Sequence, residues 1–170
     1  FFSFFAINAF SQINNPALLK SELDTISNKK LIVNSVALNQ NGDWIILYGD
    51  IGYSFVNMPE KLSSLLDTLN RQQKFIKDVM FVGNAGWVVL SEQNAFFTDS
   101  VPEKLTSSLK KINQKGKMIK VVRFSDANSG LVLYGKNSVS QSQIPELLKK
   151  KLLNLQSRNQ NIKDVALGED

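Results

Sequence analysis

The chain has neither cysteine nor histidine among its 170 residues. Without cysteine there is no disulfide framework and no thiolate metal site. Without histidine as well, Cys/His zinc sites, His-based catalytic triads and imidazole acid–base pairs are excluded. No Gly-rich phosphate loop, no G-x-S-x-G elbow and no pair of carboxylates at helical spacing in an apolar setting can be read in it. No apolar run is long enough for a membrane-spanning helix. The expectation is a protein without catalytic residues, cofactor or metal.

Proline is scarce too, and its four occurrences are informative. Pro16, Pro59, Pro102 and Pro145 are spaced by 43 residues each time. Three residues after each stands Leu19, Leu62, Leu105 or Leu148, and seven after it Leu23, Leu66, Leu109 or Leu152. Ten after it stands Ile26, Leu69, Ile112 or Leu155. These offsets lay one apolar stripe along one face of a helix. Proline suits a first helical turn, where its missing N–H would be unpaired anyway. Glu60, Glu103 and Glu146 follow three of the prolines and complement the positive end of the helix dipole.

Further along the register come Val33, Ile76, Ile119 and Ile162, then Val36, Val79, Val122 and Val165. This is a strand, so Ile162 to Leu167 is expected to form one as well. NQNGD at residues 39–43 is a hairpin turn, because Asn-Gly reaches left-handed backbone angles cheaply. WIILY at residues 44–48 reads as a central strand and residues 53–56 as a third. Gly116 reads as a helix stop.

The fold expected is therefore α+β: tandem 43-residue strand–strand–strand–helix repeats, with an antiparallel or mixed sheet packed on helices. The units run approximately 31–73, 74–116 and 117–160, with partial units at 13–30 and 161–170. Such a unit is too small to bury its own apolar face, so neighbours must share the burial. The array is either open or closes as a four-unit ring, which would remove exposed sheet edges. Residues 1–12, FFSFFAINAFSQ, resemble the apolar region and cleavage site of a secretory signal peptide. The other possibility is that they end a repeat. The domain proper is then 13–170, exported to the cell surface, periplasm or medium.

Three groups of residues are candidates for binding. Trp44 and Trp87 share one register position, which Gly130 occupies in the third unit. With Tyr48, Tyr53, Phe96, Phe97 and Tyr134 they could line a face that stacks on sugar rings or peptide side chains. A tryptophan opening a central strand is otherwise a core residue. Asn39, Asn41 and Asp43, and again Asp126 and Asn128, alternate as calcium ligands do. They lack the carboxylates of a real loop and are also the ordinary residues of turns. The third group is basic, in a chain of net charge +5: Lys110, Lys111, Lys115, Lys117 and Lys120, then Lys149, Lys150 and Lys151. No aromatic residues interleave with them, so they carry no specific nucleic-acid signal and read as the solvated faces of helices. The function expected is an exported, non-catalytic binding or structural module with a protein or glycan partner. The alternative is a carbohydrate-binding, lectin-like accessory domain of a larger secreted enzyme.

Overall fold

Three of the four helices begin directly after a proline held in an extended backbone conformation. The computed structural model describes residues 15–83, 85–124, 129–165 and 167. Their helices are α1 (Pro16–Asn28), α2 (Glu60–Arg71), α3 (Glu103–Gln114) and α4 (Glu146–Ser157). The strands are β1 (Val33–Leu38), β2 (Trp44–Tyr48), β3 (Gly52–Phe55), β4 (Ile76–Val82), β5 (Gly86–Ser91), β6 (Ala95–Asp99), β7 (Ile119–Phe124), β8 (Gly130–Tyr134) and β9 (Ser138–Ser142). The protein is thus α+β, with three three-stranded sheets and strand–strand–strand–helix as its repeating order.

The prolines do not all play one part. Pro16 is the first residue of α1, which Asn15 caps by accepting a 3.1 Å hydrogen bond from the Leu18 amide. Pro59, Pro102 and Pro145 sit one position earlier, as N-cap residues with φ near −55° and ψ near 135°. The expectation of proline inside the first turn therefore holds only for α1. The ring locks φ at a value that both positions accept, and ψ alone decides which is taken.

The helix ends are built alike. Lys30, Gln73, Gly116 and Asn159 each adopt a left-handed backbone, with φ of 57°, 56°, 64° and 54°. The next amide then turns back onto the helix: Leu31 to the Ile26 carbonyl, Lys74 to Leu69, Lys117 to Ile112 and Gln160 to Leu155, at 2.9–3.2 Å. This closure satisfies carbonyls that the helix would leave open. Gly116 is a stop as expected, and three non-glycine residues do the same job.

Every sheet is a meander with its second strand in the middle, in the orders β1-β2-β3, β4-β5-β6 and β7-β8-β9. The pairs β1–β2, β2–β3, β5–β6, β7–β8 and β8–β9 are antiparallel. The middle strands are buried on both faces, which is why WIILY and GWVVLS read as continuous apolar runs rather than alternating ones.

The chain divides into two compact units, the first ending at Val79 and the second beginning at Met80. In the first, Leu19 and Ile26 of α1 pack with Trp44 and Ile46 of β2. Leu62, Leu66 and Leu69 of α2 are buried there as well. In the second, Leu105, Leu109 and Ile112 of α3 share one cluster with Val88 and Leu90 of β5 and with Val122 and Val132 of the last sheet. Leu152 of α4 packs with Leu131, Leu133 and Ile162, and Leu148 lies part-buried against them.

The segment at 162–167 departs from expectation. Residues 162–165 and 167 form no strand. Ile162 is buried, Arg123 pairs with Asp164 at 3.1 Å, and Lys120 reaches Asn161 at 2.8 Å. The segment is held by side chains, whereas a strand exists only through a neighbour's ladder. The stretch 1–12, Asn84 and the turn residues 126–128 lie outside the described residues. No helix among the described residues is long and apolar enough to cross a membrane.

Candidate functional site

The two tryptophans are interior residues. Trp44 is 2% exposed and Trp87 4%. Among the described residues neither indole N–H has a hydrogen-bond partner. Each ring is therefore held by apolar packing and shape. Tyr48 is half-buried beside the Trp44 cluster, and its hydroxyl lies 3.4 Å from the Tyr53 carbonyl. Phe96 and Tyr134 both pack, partly buried, on the cluster around α3. Phe97 lies across from Val89 in the β5–β6 ladder.

Tyr53 is placed differently. Its ring stacks on Phe55, with centroids 6.2 Å apart and planes 21° from parallel, and Phe55 is 42% exposed. The Tyr53 hydroxyl donates to the Asp67 carboxylate on α2. Burial first, then the hydrogen bond to Asp67 and its negative charge, push the Tyr53 phenol up to about 12. Register places Phe96, Thr98 and Lys110 at the corresponding positions one repeat later, so the second unit lacks this aromatic–carboxylate group.

Gly130 makes a second local departure from the repeat. Leu19, Ile26, Trp44 and Ile46 form one contact set in the first unit. Their counterparts two repeats later are Leu105, Ile112, Gly130 and Val132. Phe124, the cross-strand partner of Gly130, lays its ring on the glycine: an added Cβ would stand 2.4 Å from Phe124 Cδ1 and 2.8 Å from the Arg123 carbonyl oxygen. Beyond that ring a half-open cavity of about 150 Å³ remains between α3 and the last sheet. Leu105, Phe124, Gly130 and Val132 lie along its apolar side. Lys104, Ser108, Ser140 and Ser142 bring polar groups to it.

The other expected groups have structural work. Asn39 Oδ1 accepts from the amides of Asn41 and Asp43, both at 2.9 Å. The Asp43 carboxylate accepts from Asn39 and Asn57, each at 3.0 Å. These oxygens are committed to holding the turn. No group of three or more acidic side chains that could hold a metal ion occurs among the described residues. Lys110, Lys111, Lys115 and Lys117 are exposed, whereas Lys120 donates to the Lys136 carbonyl at 2.6 Å.

Sequence reasoning singled out the lysines of α4 and passed over two of its leucines. At the register positions where α2 and α3 carry Lys61 and Lys104, α4 carries Leu147; where they carry Asp67 and Lys110, it carries Leu153. Leu147 is 82% exposed and Leu153 53%. A shallow groove at Leu147 is lined also by Pro145, Leu148, Lys150, Lys151, Asn154 and Arg158. The signal was available as a break in the charge pattern of the helices. No family model, no curated protein and no solved structure matches this chain.

Proposed function

We propose that this chain is an exported, non-catalytic binding or interaction module, built as stacked 43-residue units in an open array or a closed ring of four. The surface of α4 carries this reading. A solvated helix presents charge outward, as α2 and α3 do at the positions in question, whereas α4 exposes Leu147 and Leu153, and Leu147 shares a groove with Lys150, Lys151 and Arg158. An exposed leucine sharing a groove with cations fits a partner with an apolar anchor and acidic residues beside it. The apolar composition of residues 1–12 supports export.

A photo-crosslinking residue at position 147, with the same residue at position 61 as the register control, tests the proposal. One discrete protein partner captured from 147, not from 61, and lost in Leu153→Glu is the expected result. Identical capture from both positions would overturn it.

A second reading, a lectin-like accessory domain of a larger secreted enzyme, is favoured by the Tyr53–Phe55 pair beside Asp67. A stacked aromatic platform with a carboxylate acceptor at its edge suits a sugar ring. Saturable glycan binding abolished by Phe55→Ala would support it, and glycan binding unaffected by that change would remove it.

A further inference from the structure

We infer that the cavity beside Gly130 is a binding site for a small planar aromatic molecule bearing an anionic substituent, of the indole-carboxylate class. The repeat changes at one buried position. The first two units fill this register position with a buried indole, and the third carries Gly130 instead. The surrounding contact set is retained: Leu105 and Ile112 on the helix and Val132 on the strand stand where Leu19, Ile26 and Ile46 enclose Trp44. Phe124 takes the space next to the Gly130 backbone and lines the cavity beside it. What remains is about 150 Å³, a volume that elsewhere admits a benzene ring into an apolar cavity.

The walls define the ligand further. Phe124 offers an aromatic ring against which a flat molecule can stack, and Leu105 and Val132 offer aliphatic contact. Small binding sites combine such a lining with a few polar groups that orient the ligand. Here those groups are Ser108, Ser140, Ser142 and Lys104, whose ammonium stands 3.4 Å from the Ser142 hydroxyl. Among the described lining residues there is one cation and no carboxylate. An aromatic ring lies inside, and its carboxylate stays at the mouth with Lys104. An indole N–H, unpartnered in Trp44 and Trp87, would find serine hydroxyls here. This site goes beyond the proposed interaction surface of α4 and does not depend on it.

Fluorine NMR of the full chain with fluorinated indoleacetate and with neutral fluoroindole tests the site. Both probes are expected to bind saturably, indoleacetate the more tightly. Ser108→Phe and Ser140→Leu, which fill the cavity from its two walls, should each weaken both probes at least tenfold while leaving the melting temperature near that of the parent. Lys104→Ala should weaken indoleacetate severalfold and leave fluoroindole unchanged. The proposal is overturned if neither probe saturates, or if both remain bound in whichever cavity-filling variant stays folded. Equal loss of both probes in Lys104→Ala would overturn the assignment of the carboxylate to the mouth.

Discussion

The side-chain amide of Asn70 donates a 2.8 Å hydrogen bond to the backbone carbonyl of Ile51, tying the last turn of α2 to the loop between β2 and β3. The same link recurs 43 residues on, from Asn113 to the Asn94 carbonyl at 2.6 Å, and again from Gln156 to the Asn137 carbonyl at 2.9 Å. An apolar stripe attracts a helix to a sheet without choosing its axial position, whereas a directional bond does choose it. Asn113→Ala should leave the part-buried Asn94 carbonyl without this donor and cost about 1–3 kcal/mol, read from urea unfolding. A loss within error of zero would show that packing alone sets the helix.

Trp44 and Trp87 are core residues by burial, and emptying either site should be severe. We expect Trp44→Ala and Trp87→Ala each to cost about 3–5 kcal/mol in chemical denaturation. Phenylalanine at either position should cost much less, since it keeps most of the ring and removes an indole N–H that has no partner. Two alanine variants as stable as the parent would contradict the burial.

Gly130 and Phe124 should behave as one site. Gly130→Ala places a methyl group against the Phe124 ring and should cost about 1–3 kcal/mol by overpacking. In a Phe124→Leu background the same change should cost less, since a smaller, flexible side chain can yield. A double-mutant cycle measures the difference, and strict additivity would mean that Phe124 does not press on Gly130.

The helix stops offer a backbone test. An added Cβ at Gly116 meets nothing within 4 Å, so Gly116→Ala acts through conformation alone. It should cost about 1 kcal/mol, the lower end of the left-handed penalty for a residue with a Cβ. Gln73→Gly, at the equivalent stop, should be neutral or stabilising by up to about 1 kcal/mol, the relieved strain being offset by glycine's greater unfolded entropy. Thermal unfolding of the two variants checks both signs.

Tyr53 should titrate late. Its phenol is pushed up to about 12, against an ordinary value near 10. Between those values the unfolded chain has lost this proton and the folded chain has kept it. Stability from this group is therefore complete below pH 10 and falls as pH rises towards 12. Tyrosinate absorbance should show one phenol titrating late, missing in Tyr53→Phe. Asp67→Asn should bring it part of the way down, because burial, the larger cause, persists.

Periodicity by itself determined the order of elements. Leucine and isoleucine at offsets of 3, 7 and 10 from proline fit one face of a helix, and apolar runs of five or six residues bounded by Asn and Gly are short enough to read as strands, so the α+β strand–strand–strand–helix pattern was legible. Ile162 to Leu167 shows where this ends: the segment has a strand's pattern, but pairing belongs to two segments and cannot be written in one. Tertiary structure alone decided that three prolines cap rather than begin their helices, that Lys30, Gln73 and Asn159 serve as stops as well as Gly116, and that Trp44 and Trp87 are interior. It also decided the candidate sites. Tyr53 and Phe55 are neighbours on one face of β3, but Asp67 meets Tyr53 only when β3 lies beside α2. The loss of tryptophan at Gly130 was visible in the register, but whether a neighbour would fill the gap was not. Phe124 fills the part next to the backbone and leaves the rest open, an outcome set by the reach of one ring across a strand pair.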